Sequence, residues 1–529
     1  MTRREDKGGM PAIRTLLNPD CFPHPAESIE LIETHISWVL LAGDFAYKLK
    51  KPVDLGFLDF STLERRAHYC AEELRINRRL ARSLYLDVVA LCREGDRYHF
   101  GGDGEPVEYA VRMRRFRQDQ QLDRCLERGE LGDNEIDEIA TLIGAFHEAA
   151  PKAPPESDWG TPATVLRPFR ENFSQLSPVL QAGRRADDIA RLHAWSETMF
   201  PLLTPKFALR REQGRVRECH GDLHLRNMAR VDGKIVAFDG IEFDPALRWI
   251  DVISDSAFLM MDLQSRGQPG LAWRFLNGWL QSTGDFDGLG LLRWYLVYRH
   301  MVRAKVDAIR LNQEDVKSGE ATRLEKRMGS HLSLALREIK DPAPALLIAC
   351  GVSGSGKSWL AERLAQRLPA VWIRSDVERK RLFGMAPTQR PAEDRIPEVY
   401  GVKATRRTYD RLAEVADGAL GAGYTIIADA TYLDRHDRDI LAQVAEHHHA
   451  PAIILACDAP SRVLRERVAR RQQDNRDASD AGLRVLESQL RERRSFGETE
   501  PVLSIVTDET LDVEQLVTRI RKRMGATRS

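Results

Sequence analysis

The sequence predicts two regions of different fold class: an α+β region up to about residue 340, then from residue 346 an α/β region with a mostly parallel sheet. Three observations predict this. A hairpin pattern, a helical stretch and further strand patterns follow one another between residues 37 and 116. After Leu346, short apolar runs alternate with helical stretches, the signature of βαβ units. Between the two lies Lys340-Asp-Pro-Ala-Pro-Ala345, a short proline-containing break. At 529 residues the chain is also too long for a single core.

Composition narrows the class. The chain is 43% hydrophobic and 30% charged with zero net charge, so no overall field favours nucleic acid or an anionic membrane. Its seven cysteines are scattered, odd in number and free of CxxC spacing, which speaks for reduced thiols and against a disulfide frame or zinc site. Residues 1–10 lack the apolar core of a signal peptide, and no apolar run approaches the length of a membrane span. A cytoplasmic protein without a membrane partner is expected.

In the first region, residues 37–50 read as two strands around Ala42-Gly43-Asp44, with Lys48 and Lys50 on one strand face. A helix over residues 62–83 carries Glu72 and Glu73, and strands follow near residues 88–92, 98–100 and 108–116. Residues 133–150 form an amphipathic helix with Ile136, Ile139, Ile143 and Phe146 on one side. Residues 151–162 read as a proline-rich loop, and helical patterns then run to about Leu203, interrupted by prolines. Residues 291–309 are helical, and their Trp294, Tyr298, Met301 and Val302 stripe reads as core packing with a solvated basic face.

The first chemical line is Glu218-Cys-His-Gly-Asp222-Leu-His-Leu-Arg-Asn227, followed by an apolar strand ending at Asp239. An aspartate on a loop can accept the proton of a substrate hydroxyl. An asparagine five residues on and a second aspartate at a strand end can give oxygen ligands to Mg²⁺. These residues resemble the catalytic loop of aminoglycoside phosphotransferases and related small-molecule kinases, distant relatives of protein kinases. The resemblance covers roughly residues 25–335 and implies a bilobal protein-kinase-like domain. It makes Asp222 the catalytic base, Asn227 and Asp239 metal ligands, and Lys48 in Ala46-Tyr-Lys the lysine that holds the ATP phosphates. Glu73 is the best match for the helix partner of that lysine, with Glu72 the alternative. Two departures stand out: no GxGxxG precedes Lys48, leaving Leu41-Ala-Gly-Asp as the only phosphate-covering turn, and no acidic aminoglycoside pocket is legible. Asp244, Asp251 and Asp255 read equally well as structural.

The second chemical line is Gly351-Val-Ser353-Gly354-Ser355-Gly356-Lys357-Ser358, a GxxxxGKS loop between a buried strand over residues 346–350 and a helix. Its glycines let backbone N–H groups turn toward an anion, and the helix N-terminus adds positive potential. Lys357 would reach the β/γ-phosphates and Ser358 would bind Mg²⁺. Further strands are expected at residues 370–376, ending in Ser-Asp376, at 424–429, ending in Asp429, at 452–457 and at 504–508. Asp376 and Asp429 then share the carboxyl edge of the sheet with the phosphate loop. A helix over residues 460–471 sets Arg467 and Arg471 on one face, where a lid could bring them to the transferring phosphoryl group. His447–His449 read as a solvated helix end with diverging side chains. This region resembles the small P-loop kinases that include gluconate kinases, polynucleotide 5′-kinases and zeta-toxin-like kinases. The resemblance implies that Asp376 activates the acceptor hydroxyl, Arg379 binds substrate or its phosphate, Asp429 orients Mg²⁺ and water, and Arg467 and Arg471 are lid arginines.

The expected organisation is thus a tail over residues 1–24, a kinase-like domain over 25–340, a linker over 341–345 and a P-loop kinase domain over 346–529. The expected function is bifunctional: each half transfers the γ-phosphoryl group of ATP, with Mg²⁺, to a hydroxyl of a small-molecule acceptor. Two other readings are that one half binds nucleotide without catalysis, and that the C-terminal half is a nucleic-acid 5′-kinase using the arginines between 462 and 494.

Overall fold

The structure is a computed structural model that describes residues 11–56, 58–180, 185–312, 316–474 and 478–526; the charged stretch 1–10 lies outside them. The chain divides into two compact units. The first comprises Met1–Gly132, Ala149–Thr164 and Arg211–Leu259; the second comprises Asp133–Glu148, Val165–Arg210 and Met260–Ser529.

The first unit is built on a six-stranded antiparallel sheet of β1 (Ile29–Glu33), β2 (Ser37–Ala42), β3 (Phe45–Lys50), β4 (Tyr85–Glu94), β5 (Arg97–Phe100) and β6 (Glu105–Arg114), in the order β1-β2-β3-β6-β4-β5. The β2–β3 hairpin turns at Gly43, whose φ of 54° is left-handed. The strand β1 extends the sheet beyond the hairpin, pairing Leu31 with Leu40. Ahead of β1, Leu16, Cys21 and Phe22 are buried against Leu40, Tyr47 and Phe100 and close one face of the sheet. The helix Leu63–Ala81 starts where the Thr62 hydroxyl accepts the Arg65 N–H and packs on β4 and β6. Arg66 and Glu108 form a buried ion pair between that helix and β6. Further along, β7 (Val216–Glu218) pairs antiparallel with β10 (Trp249–Asp251), and β8 (Met228–Val231) pairs with β9 (Lys234–Ala237) through a left-handed Asp232-Gly233 turn.

The second unit contains a five-stranded parallel sheet in the order β12-β13-β11-β14-β15, formed by β11 (Leu346–Cys350), β12 (Ala370–Arg374), β13 (Thr425–Asp429), β14 (Ala452–Asp458) and β15 (Val502–Val506). All five residues of β11 and of β13 are buried, as expected for central strands covered on both faces. Two strands depart by two residues from the expectation. The strand β12 stops at Arg374, and Ser375 and Asp376 open the helix Ser375–Leu382, where an acidic residue in the first turn favours helix. The strand β15 lies two residues earlier than expected, paired from Ile454–Val502 to Asp458–Val506.

The prolines near Leu203 do not interrupt their helix. Ala186–Glu212 is continuous through Pro201 and Pro205, both of which lie on its exposed side, while Leu203 and Phe207 on the other side are buried. In the helix Leu289–Leu311, Trp294 and Met301 are fully buried, with Tyr298 and Val302 partly so. The free edge of β12 is covered by a side chain. Asn277, in the helix Pro269–Thr283, donates to the Ala370 carbonyl (2.9 Å) and accepts from the Trp372 N–H (2.7 Å). That helix also packs on the phosphate-loop helix Lys357–Arg367. His447 and His448 do not diverge as expected: their nitrogen atoms and an Asp417 oxygen lie within 4.8 Å of one another, because the helix ends at His447 and His448 turns back to Asp417.

Candidate functional site

In the first unit, β3 sends Lys48 and Lys50 from one face toward the helix Leu63–Ala81. Lys48 Nζ donates to Glu73 Oε1 (2.7 Å) and to Asp239 Oδ1 (2.6 Å). Lys50 Nζ donates to the other Glu73 oxygen (2.8 Å) and to Glu242. Glu73 is therefore the carboxylate that meets Lys48, whereas Glu72 turns to Arg75 and Arg248. Burial alone would push the Glu73 carboxyl up; Lys48 and Lys50 outweigh it and hold Glu73 below its ordinary range. Burial does raise the Glu242 carboxyl, and the Glu73 charge adds to the rise.

Asp222 lies on the loop between β7 and β8. Asn227 Nδ2 donates to its carboxylate (2.9 Å) and to its carbonyl (3.1 Å), which leaves the Asn227 amide oxygen as the side chain's acceptor. His224 Nε2 stands 3.3 Å from the same Asp222 oxygen. Beneath the loop, the buried Asp255 carboxylate accepts the backbone N–H groups of His220 (3.0 Å) and Gly221 (2.9 Å). Gly221 has φ 84°, and a Cβ there would meet the Leu247 carbonyl at 2.8 Å, so glycine is required. His220 Nε2 lies 3.0 Å from the Phe238 carbonyl and so must donate, leaving Nδ1 to face the Asp222 N–H at 3.3 Å. Burial lowers the His220 pKa, consistent with this neutral tautomer.

Asp239 follows β9 with a left-handed φ of 61°, uncommon for a residue other than glycine. The conformation is held from both sides: Asp239 N–H donates to the Tyr85 hydroxyl (3.2 Å), and Gly240 N–H donates to Asn77 Oδ1 (2.7 Å). The chain thus turns the Asp239 carboxylate to Lys48 just past the strand. Asp244 caps the next short helix at the Ala246 N–H (2.8 Å), and Asp251 accepts the Ile253 N–H (3.0 Å), so both have structural partners. The Leu41-Ala-Gly-Asp turn is backed by the N-terminal stretch: a Cβ at Gly43 would meet the Pro25 carbonyl at 2.7 Å.

In the second unit the phosphate loop joins β11 to the helix Lys357–Arg367. Gly351, Gly354 and Gly356 have φ of 150°, 81° and 79°, and a Cβ on each would meet Cys457 O at 2.4 Å, Leu464 O at 2.8 Å and Thr507 Oγ1 at 2.6 Å. The loop is thus pressed against β14, the helix Ser461–Asp474 and the end of β15. Ser353 N–H is held by Gln489 Oε1 (2.8 Å), Thr507 Oγ1 donates to the Ser355 carbonyl (2.6 Å), and the Ser355 hydroxyl is buried with no hydrogen bond among the described residues. Among the described residues Lys357 Nζ has one hydrogen-bond contact, a long one to the Val352 carbonyl at 3.5 Å. Ser358 hydrogen-bonds Asp429, and Trp372 Nε1 also donates to Asp429 (3.2 Å). Burial raises the Asp429 carboxyl despite Lys357 and Arg374 nearby, so a cation there would relieve an unfavourable buried charge.

Asp376 opens its helix one strand away from Asp429, at the same sheet edge. Arg379 is buried, donates to the Val399 carbonyl (3.1 Å) and Thr405 hydroxyl (3.2 Å), and lies over the Tyr400 ring. The two arginines of the helix Ser461–Asp474 bond to backbone: Arg467 to the carbonyls of Gly354 (3.3 Å) and Thr507 (2.5 Å), Arg471 to that of Ala481 (2.9 Å). The sequence already set Lys50 beside Lys48 and allowed Asp255 a structural role; Glu242, His224 and Gln489 carried no local signal.

A family model described as "Phosphotransferase enzyme family" matches residues 57–294, and one described as "AAA domain" matches residues 346–496. An uncharacterised protein of Mycobacterium tuberculosis strain H37Rv is 31% identical over 463 residues, 87% of this chain and 90% of its own, and one from Mycobacterium bovis matches to the same extent. The chain belongs to the family of these mycobacterial proteins. It carries a phosphotransferase-type kinase domain followed by a P-loop kinase domain, the first α+β with an antiparallel sheet, the second with an all-parallel sheet. Among solved structures, it is similar to an amicoumacin kinase, at 13% identity over 61% of this chain and 94% of that one with a TM-score of 0.39. It is also similar to a gluconokinase from Sinorhizobium meliloti, at 18% identity over 35% of this chain and 94% of that one with a TM-score of 0.23.

Proposed function

We propose that the chain is a bifunctional ATP-dependent phosphotransferase in which each half moves the γ-phosphoryl group of ATP to a hydroxyl of a small-molecule acceptor. One observation supports this reading: each region brings together a carboxylate, a lysine and hard oxygen donors suited to act as base, phosphate lysine and metal ligands. The first set is Asp222, Lys48 and the Asn227–Asp239 oxygens; the second is Asp376, Lys357 and the Ser358–Asp429 oxygens. Both donor sets suit Mg²⁺, which, when bound, would neutralise charge on the β- and γ-phosphates. In the first half, Asp222 would take the acceptor proton, oriented by Asn227 and His224, while Lys48, braced by Glu73, would hold the α/β-phosphates. In the second, Asp376 would be the base and the phosphate-loop N–H groups with Lys357 would grip the β/γ-phosphates. Arg379 would bind the acceptor, and Arg467 and Arg471 would act from the lid helix. We place the functional division at residues 341–345, which lie between the two matched spans.

The nucleic-acid reading of the C-terminal half is less well supported. Three of the ten arginines between 462 and 494, Arg462, Arg465 and Arg493, pair with Glu466, Glu487 and Asp458, and Arg467 and Arg471 bond to backbone carbonyls.

The test compares wild type, Asp222→Asn, Lys357→Met and the double variant for ATP consumption in the presence of a small-metabolite extract. Each single variant is expected to lose its own half-reaction by about two to four decades. Full turnover in the double variant would sink the proposal. Full turnover in one single variant alone would identify that half as a nucleotide-binding module without catalysis.

A further inference from the structure

Asp376, Arg379 and Lys380 are spaced three and four residues apart on the helix Ser375–Leu382 and so lie along one face. Lys380 is completely buried, yet it follows a helix start that opens onto the active edge of the sheet. Its Nζ pairs with Asp480 Oδ1 at 3.2 Å, and Arg390 Nε lies 4.0 Å from the same oxygen. The other Asp480 oxygen accepts the Tyr400 hydroxyl. Tyr400 in turn carries Arg379 over its ring, and the buried Arg379 Nε has no hydrogen bond among the described residues. Asp480 itself belongs to the connection between the helices Ser461–Asp474 and Leu483–Glu492, and the next residue, Ala481, is held through its carbonyl by Arg471. One carboxylate from the lid connection is therefore met by a lysine, an arginine and a phenol, and that phenol carries a second arginine over its ring. The Tyr400 hydroxyl senses Asp480 and Asp376 together, after burial, in being pushed above its ordinary range.

We propose that Lys380, Arg390 and Tyr400 form an oxyanion subsite for the acceptor of the P-loop half, and that Asp480 fills it as a tethered carboxylate until the acceptor arrives. The inference rests on Asp376 being the acceptor base and narrows the acceptor to an alcohol that also carries an oxyanion, a hydroxy acid or a phosphorylated alcohol. Two cationic groups and a phenol converge on one carboxylate. A buried lysine stranded without an anion would be costly, so an internal stand-in keeps the empty subsite folded. Arrival of the acceptor's own oxyanion would then free the connection carrying Asp480 and, through Ala481, the arginine at 471.

Binding of two small probes, inorganic phosphate and glycolate, tests this in the full chain saturated with ADP and Mg²⁺ so that the phosphate loop is occupied. Calorimetric titration at constant ionic strength should show Asp480→Asn binding one of the two about tenfold more tightly than wild type. The gain should vanish in Asp480→Asn combined with Lys380→Met. Which probe gains tells a phosphorylated alcohol from a hydroxy acid. Equal affinities in wild type and Asp480→Asn for both probes, or a gain that survives Lys380→Met, would overturn the proposal. Should Asp480→Asn fail to fold, hydrogen exchange on the wild-type chain decides. Either probe should speed exchange at residues 478–482 relative to chloride, and unchanged exchange with both overturns the idea. None of these readouts needs turnover, so their failure leaves the Asp222 and Lys357 experiment to judge the phosphotransfer reading by itself.

Discussion

Glu73 is completely buried between two lysines, while the adjacent Glu72 is partly exposed between two arginines. The same chemical change should therefore have different consequences at neighbouring positions. Glu73→Gln removes the charge that Lys48 and Lys50 share and should cost about 3 kcal/mol of stability, the scale of breaking a buried pair from one side. Glu72→Gln should cost less than about 1 kcal/mol. Urea unfolding of the two variants measures the difference, and equal losses would contradict the buried network. ATP affinity of the N-terminal half should fall with Glu73→Gln as well, since Lys48 then relaxes toward Asp239. At this scale, the residues with a readable signal were those that recur at fixed spacing: Gly351 to Ser358, Asp222 with Asn227, and Lys48 with Lys50. Asp480 and Gln489 lacked one. They meet Lys380 and Ser353 from 100 and 136 residues away, and no local pattern encodes such a meeting.

Among the helices, the pair Leu289–Leu311 and Ser318–Glu338 carries a buried contact between His300 and His331, Nδ1 to Nδ1 at 3.2 Å. Burial lowers both pKa values, that of His331 to about 4, and the positive neighbours His331 for His300 and Arg303 for His331 add to the shift. Below about pH 6.5 the unfolded chain takes up protons that the folded helices refuse, so stability is complete above that value and declines as pH falls toward 4. His331 alone should account for about 3 kcal/mol of that loss. Chemical denaturation at several pH values checks this: the slope between pH 6.5 and 4 should flatten in His331→Asn, and an unchanged slope would refute it. The catalytic loop offers a second test. Asp255→Ala leaves the His220 and Gly221 N–H groups unheld and should lower kcat of the N-terminal half by about tenfold or more, with KM for ATP little changed, because the loop and not the phosphate lysine is disturbed. Strand and helix types were readable from apolar periodicity. Their ends were not, as at β12 and Pro201, because helix starts and exposed prolines are decided by solvent access that a linear pattern does not reveal.

For the whole molecule, the proline-containing stretch before β11 reads as a natural place to cut, yet the structural division runs elsewhere: Met260–Ser529 falls in one unit. One tie across that stretch is Asn277, whose amide completes the hydrogen bonding of β12 where the sheet would otherwise end in open backbone, and its helix packs on the phosphate-loop helix as well. A fragment spanning 341–529 should accordingly be less stable than one spanning 260–529 and more prone to associate through β12. Thermal unfolding and light scattering of the two fragments measure both effects; equal behaviour would show that the amide is dispensable. Asn277→Leu in the full chain should cost about 1–3 kcal/mol by leaving the Ala370 carbonyl and Trp372 N–H unpaired.

The amide of Asn277 also bears on how such a chain can change over generations. A strand edge finished by a side chain from the preceding region makes the joining of the two regions hard to reverse. A recombination breakpoint at the prolines would release one product with an adhesive edge and another with a helix surface shaped for a strand no longer there. Shuffling the P-loop region onto a new neighbour would require that neighbour to bring its own cap for β12. Inheritance as one piece is the outcome this favours, and it fits relatives that align along 87% of the chain and 90% of their own length.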